Sequence, residues 1–215
     1  MKQLSIFLVL IMAALYAGAQ DDYRNDEVET IFSNGRSNGG YGAFSIGYSQ
    51  IDGRDALITG ARGAFIFDHS LAIGIGGYGF VNNLDYDRYH YDNFDDRFML
   101  AGGYGGIFFE PILGGTKAVH VSFPVLVGMG GIALVENDGW DWHYHDDRYD
   151  HWHEYDHDLF FVLEPAVELE FNVVRFFRAS AYASYRFTSD IELYDTDNDV
   201  LKGFNFGMTF KFGKF

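Results

Sequence analysis

The sequence predicts an all-β protein, an eight-stranded antiparallel transmembrane up-and-down β-barrel. Three observations lead to this prediction. Segments of strand length follow one another from Gly39 onward, without a helical period of comparable strength between them. The connections between these segments alternate between short and long. Within the clearest segments, apolar side chains alternate with small or polar ones, as the wall of a membrane barrel requires.

An export signal precedes the predicted barrel. Lys2 supplies a positive start, residues 4–15 form an apolar run, and the small residues 17–19 form a cleavage site. The apolar run is shorter than the ~20 residues that a membrane-spanning helix needs. The expected organisation is a signal peptide at residues 1–19, a flexible periplasmic N-terminal segment at residues 20–38 and an outer-membrane β-barrel domain at residues 39–215.

Each predicted strand is long enough to cross a bilayer at a tilt, which takes about 9–11 residues. The predicted strands run approximately over residues 40–50, 55–67, 70–82, 97–110, 117–135, 159–171, 175–188 and 201–214. Short turns are expected after the second, fourth and sixth strands, at Asp68-His69, Gly114-Gly115-Thr116 and Asn172-Val173-Val174. Long polar connections follow the third, fifth and seventh strands, and the short first connection, around Asp52-Gly53-Arg54, falls on their side. This segregation by length is typical of a membrane barrel with both termini in the periplasm.

Charged side chains occupy the face of the later strands that is expected to point inward. The sixth strand places Glu164, Glu168 and Glu170 there, and the seventh strand places Arg178 and Arg186 there. An unpaired buried charge costs several kcal/mol, so we expect these residues to form ion pairs. An eight-stranded barrel is only wide enough for side chains, which argues against an open pore.

The alternation of apolar with small or polar side chains is clearest in the last strand. The last strand is expected to expose five large side chains to lipid, namely Phe204, Phe206, Met208, Phe210 and Phe212. The fifth strand is expected to point His120 and Ser122 inward. The third and fourth strands are rich in Gly, and the sequence does not assign which of their faces points inward.

Charge and composition exclude several classes of protein. The formal net charge of −16 argues against nucleic-acid binding, which needs a basic surface. The chain contains no Cys, which excludes disulfides, thiolate metal sites and a lipid anchor on Cys.

The export signal, the eight alternating strands, the unequal connections and the aromatic last strand ending at Phe215 together resemble the small bacterial outer-membrane β-barrel family of the OmpA-barrel or OmpX type. The resemblance extends from about Gly39 to the last residue. It implies a bacterial outer-membrane location with periplasmic termini, contact with outer-membrane lipid and lipopolysaccharide, and insertion by the barrel-assembly machinery. Phe215 departs from the family pattern because it is out of phase with the outward residues of its strand. The resemblance rests on architecture, and no functional residue is transferred.

One long connection, residues 136–158, contains five of the eight histidines. Imidazole and carboxylate groups are the ligands that Zn²⁺, Cu²⁺ and Ni²⁺ accept where no thiol is available. The candidate metal ligands are His143, His145, His151, His153 and His157. A solvated polar loop without a metal is the alternative, because tracts rich in His and Asp have no fixed ligand spacing.

The sequence therefore predicts a non-enzymatic barrel that presents acidic, aromatic and His-rich extracellular loops to an unidentified partner or for envelope integrity. Binding of a divalent transition metal by residues 136–158 is the alternative. An outer-membrane enzyme is a third possibility. The long loops contain almost no Ser, with Ser189 as the candidate at a loop edge, so a Ser-His-Asp nucleophile is poorly supported. A mechanism in which Asp and His activate a water molecule is left as an alternative.

Overall fold

The computed structural model of the chain describes residues 38–82, 86–87, 97–136, 157–193 and 196–215. The predicted signal peptide, and all of the predicted N-terminal segment except its last residue, lie outside these ranges. The described residues form strands and contain no helix long and apolar enough to span a membrane. The strands are β1 (Asn38–Ile51), β2 (Arg54–Phe67), β3 (Leu71–Asn82), β4 (Tyr86–Asp87), β5 (Arg97–Leu113), β6 (Val119–Ser122), β7 (Val125–Glu136), β8 (His157–Val174), β9 (Phe177–Thr188) and β10 (Gly203–Lys214).

The strands close into one antiparallel barrel. Around the wall the order is β1, β2, β3, β5, β7, β8, β9 and β10, and β10 pairs again with β1. β6 continues the position of β7 in the wall, and the two-residue β4 pairs with the start of β5. Closure leaves the wall without an open edge. A β-structure inside a membrane needs this, because unpaired backbone groups at an edge would find no hydrogen-bond partner in lipid. The predicted eight-stranded up-and-down barrel is confirmed.

One position in the wall is divided between β6 and β7. The division falls at Phe123-Pro124, because Pro124 has no backbone N–H to donate to a neighbouring strand. The register with β5 is the same on both sides of it, since Ser122 lies opposite Ile112 and Leu126 lies opposite Phe108. The predicted strand at 117–135 is therefore a single crossing with one interruption, and it begins at Val119.

The two ends of the barrel differ in their connections. At one end, which we call the loop end, lie the connections 52–53, 83–96, 137–156 and 189–202. At the other, the turn end, lie the short connections 68–70, 114–118 and 175–176, together with the start of β1 and the end of β10. The predicted segregation of connection lengths is confirmed.

The position of one predicted turn is wrong. Asn172, Val173 and Val174 belong to β8, and the turn consists of Arg175 and Phe176. The strand continues because the backbone N–H of Asn172 donates to Ala118 O at 2.9 Å, just before the start of β6. The two β-branched valines that follow also favour extended backbone.

The outer wall is apolar, as a lipid-facing surface must be. Many large apolar side chains on it are exposed, the most exposed being Leu159 at 78%, Phe65 at 74% and Ile75 at 70%. Side chains of opposite parity are buried inside the barrel. The Gly-rich strands β3 and β5 follow the same rule, with Phe80 and Tyr104 inward. Pro165 of β8 is an exception, because it shares the outward parity of Phe161 and Val167 but is buried.

Candidate functional site

Among the described residues, the interior of the barrel holds equal numbers of buried acidic and basic side chains. The carboxylates are Glu110, Glu164, Glu168 and Glu170, and the cations are Arg62, Arg178, Arg186 and Lys211. The inward positions predicted on β8 and β9 are confirmed. Sequence reasoning missed Arg62 and Glu110 as members of this set. The signal that the sequence offered is the opposite parity of Arg62 to Phe65 and Phe67 in the same strand.

Lys211 lies at the centre of the largest cluster. Its Nζ is 2.7 Å from Glu170 Oε1 and 2.9 Å from Glu168 Oε2. It also donates to Glu110, which accepts a further hydrogen bond from the Tyr41 hydroxyl. Oxygens of the three carboxylates lie within 4.8 Å of one another, a spacing that a metal ion also accepts. The lysine ammonium supplies the positive charge at this position.

Glu168 connects Lys211 to a second cation, Arg62. Arg62 Nη2 donates to the two oxygens of Glu168 at 2.6 and 2.8 Å. Its guanidinium carbon also lies 5.4 Å from the centre of the Phe108 ring. Arg62 belongs to β2 and Glu168 to β8, which are not neighbours in the wall, so this ion pair crosses the barrel interior.

At the turn end, Glu170 joins the central cluster to Arg178. His120 Nε2 lies 3.1 Å from Glu170 Oε2, and Arg178 Nη1 lies 3.5 Å from the same oxygen. Arg178 Nη2 donates to Gly115 O at 3.1 Å. The inward position predicted for His120 is confirmed, and its contacts are those of a structural residue.

Phe215 covers this end of the interior. Its ring lies 4.0 Å from the guanidinium carbon of Arg178 and 5.9 Å from the Tyr41 ring. This packing explains why Phe215 is out of phase with the outward residues of its strand. Phe215 shares the inward parity of Lys211 and not the outward parity of Phe212.

A second cluster surrounds Glu164, nearer the loop end. The hydroxyls of Tyr104 and Ser184 each donate to this carboxylate at 2.5 Å, and Asn205 Nδ2 donates at 2.8 Å. Arg186 lies on the same side of the interior, with its guanidinium carbon 5.6 Å from the Tyr104 ring. Its Nε donates to Leu201 O at 2.7 Å, whereas Nη1 and Nη2 have no hydrogen-bond partner among the described residues.

A small cavity lies between the two clusters. Its volume is about 20 Å³, above the ~10–15 Å³ that one ordered water needs. Tyr182, which lines it, is accommodated by inward glycines. A Cβ added to Gly207 would lie 2.7 Å from the Tyr182 ring, and one added to Gly47 would collide with the Tyr182 hydroxyl. The inward glycines therefore make room for aromatic rings, so that side chains fill the interior.

An apolar segment covers the interior at the loop end. Four buried side chains come from the β9–β10 connection, namely Ile191, Leu193, Val200 and Leu201. The segment is held by Ile191 N donating to Asn198 O at 3.0 Å and by Glu192 N donating to Asp158 Oδ2 at 2.8 Å. The bond from Arg186 to Leu201 O links it to the barrel interior.

The structure describes only one of the predicted metal ligands. His157 is the first residue of β8, pairs with Ala133 and is exposed, with the outward parity of Leu159. The other four, His143, His145, His151 and His153, lie outside the described residues. The metal site thus stays a prediction.

An apolar outer wall around a side-chain-filled interior defines a narrow transmembrane β-barrel. No protein-family model and no curated protein match the chain. Among solved structures, it is similar to Neisserial surface protein A, with 8% identity over 85% of this chain and 100% of that chain and a TM-score of 0.54.

Two further solved structures show weaker similarity. Ail, the attachment invasion locus protein of Yersinia pestis, has 12% identity over 83% of this chain and 99% of that chain, with a TM-score of 0.43. The N-terminal β-barrel domain of Pseudomonas aeruginosa OprF has 10% identity over 84% of this chain and 99% of that chain, with a TM-score of 0.45. The resemblance to small outer-membrane β-barrels is confirmed at the level of the fold.

Proposed function

We propose that the chain is a non-enzymatic protein of the bacterial outer membrane, whose closed barrel holds acidic loops outside the cell. The buried, charge-balanced network around Lys211 carries this proposal. Side chains fill an eight-stranded barrel and leave no room for a solute path. The surface available for function outside the cell is therefore the loop end.

The loop end is acidic. Its exposed carboxylates among the described residues are Asp55, Asp190, Glu192, Asp197 and Asp199. Lys202 at this end pairs with Asp190 at 3.0 Å. Such a surface attracts cations and basic proteins. We therefore propose two kinds of partner, lipopolysaccharide bridged by divalent cations and an unidentified basic extracellular protein.

Ser189, the candidate nucleophile from the sequence, forms hydrogen bonds to the backbone of a neighbouring strand. Ser189 Oγ accepts a hydrogen bond from Phe161 N at 3.1 Å, and Ser189 N donates to Phe161 O at 3.0 Å. These bonds continue the pairing of β8 and β9 beyond Thr188. They support a non-enzymatic role for this residue.

The proposal includes periplasmic termini and insertion by the barrel-assembly machinery, which the aromatic outer face of β10 supports. Because the chain has no Cys, single cysteines report orientation without background. We expect Asp197→Cys at the loop end to react with a membrane-impermeant maleimide on intact cells. Ser70→Cys, exposed at the turn end, should react only after the outer membrane is permeabilised. The reverse pattern would contradict the proposed orientation.

Divalent metal binding by residues 136–158 is a second candidate function. It is supported by the five histidines of the segment and by the exposed position of His157 at the loop end. Calorimetric titration with Zn²⁺, Cu²⁺ or Ni²⁺ should show saturable binding near one equivalent. That binding should be lost when His143, His145, His151 and His153 are replaced by Ala, and kept in His69→Ala at the turn end. Binding that is weak, or unchanged in the fourfold variant, would leave the segment without a metal function.

A further inference from the structure

The turn end has the opposite charge to the loop end. Lys117, Arg175 and Lys214 are exposed there, and Asp68 is the one exposed acidic side chain among the described residues of this end. No described residue forms an ion pair with the three cations. Their charges are therefore available to an anion from outside the barrel.

The three cations lie along one side of the rim, two of them in neighbouring connections and the third at the end of β10. Asn172 Nδ2, near the end of β8, donates to Lys117 O at 2.6 Å. Arg175 follows in the β8–β9 turn. Gly213 N donates to Phe176 O at 2.9 Å, which places Lys214 next to that turn. We call Lys117, Arg175 and Lys214 the basic arc.

Exposed apolar side chains lie within the basic arc. Phe176 is 64% exposed and Val173 is 56% exposed, and they continue the lipid-facing surface that includes Phe171 on β8. At the edge of the membrane-spanning surface, cations that lie beside apolar side chains can contact the headgroup and the acyl chains of the same lipid. The cations reach the headgroup phosphate and the apolar side chains contact the acyl chains.

We propose that the basic arc binds the phosphate groups of anionic phospholipids in the leaflet at the turn end. This inference rests on the membrane-spanning barrel of the proposed function, but not on its closed interior or on its orientation in the cell. An acidic loop end and a basic turn end give the barrel opposite preferences for anionic headgroups. The arc thereby favours a bilayer position in which the turn end contacts the anionic leaflet.

Lipid retention tests the proposal directly. Residues 20–215 are reconstituted into vesicles of equal amounts of phosphatidylcholine and phosphatidylglycerol, then extracted in mild detergent, and the bound lipids are quantified. We expect phosphatidylglycerol to be enriched over phosphatidylcholine. Each basic side chain near an anionic surface contributes roughly a fivefold preference, so Lys117→Gln with Lys214→Gln should lower the enrichment by about tenfold or more. Adding Arg175→Gln should remove most of the remainder.

The matched control removes the same charge from the other end. Arg54→Gln with Lys202→Gln should leave the enrichment unchanged, and heat-dependent gel mobility verifies that each variant is folded. Equal retention by the wild type and the turn-end variants would overturn the proposal, as would an equal loss in the two double variants. If phosphatidylglycerol is enriched only after residues 20–36 are deleted, the basic arc binds the acidic N-terminal segment instead of lipid. That result would also overturn the proposal. A barrel that conducts ions but still enriches phosphatidylglycerol would refute the closed interior and leave this inference standing.

Discussion

Replacing Lys211 with Met is expected to lower the free energy of unfolding by about 3–5 kcal/mol, the usual cost of breaking a buried ion pair by removing one partner. The change leaves Glu110, Glu168 and Glu170 close together without the ammonium that they share. Urea titration of the protein folded into vesicles of phosphatidylcholine alone, which has no net charge, measures the effect. The urea concentration at the midpoint of unfolding should fall, while the slope of the free energy against urea concentration stays the same. Adding Glu110→Gln should recover part of the loss, because it removes one of the mutually repelling charges.

Two other substitutions by Met show whether the loss of stability comes from the ion pairs of Lys211 or from the removal of any positive charge. Lys214→Met removes an exposed charge three residues further along β10 and should change the free energy of unfolding by less than about 0.5 kcal/mol. Arg186→Met removes a buried guanidinium whose Nη1 and Nη2 have no hydrogen-bond partner within the part of the chain that the structure describes. Its loss should be below about 1 kcal/mol, since relief of an unpaired buried charge offsets the lost bond to Leu201 O. Equal losses at positions 211 and 214 would contradict the assigned role of Lys211.

The period-two pattern made the later strands predictable. Lipid on one side of the wall requires apolar side chains at every second position, so Glu168 and Arg178 had to point inward. The Gly-rich strands β3 and β5 lacked this signal, because a glycine carries no side chain that distinguishes the two faces. Their inward face became evident only from the rings of Phe80 and Tyr104.

The choice of ion-pair partners was beyond sequence reasoning. Arg62 contacts Glu168 across the barrel, 106 residues away in sequence. That contact depends on barrel closure and on the register of every strand between the two residues. Neither is a property of a local pattern.

The turn after β8 was misplaced for a different reason. Arg175 and Phe176 include none of the Gly, Pro, Asn or Asp residues that usually mark a turn. The Asn172 that suggested the turn instead bonds to the neighbouring connection, through Ala118 O and Lys117 O. The side chain chosen as a turn signal therefore serves to lengthen the strand.

Side chains close the barrel at three levels. Arg178 and Phe215 cover the turn end, Lys211 and its carboxylates fill the middle, and Arg186 joins the apolar segment at the loop end. A continuous water path would have to break contacts at all three levels. Breaking even one buried ion pair is costly, so spontaneous opening should be rare.

Single-channel recording of the purified, folded protein in a planar lipid bilayer tests this central claim most directly. Insertion is verified independently by protection of the barrel from protease. The expected result is a bilayer without large, stable conductance steps. Large, long-lived steps that recur with each insertion would contradict a closed interior and would reassign the barrel as a channel.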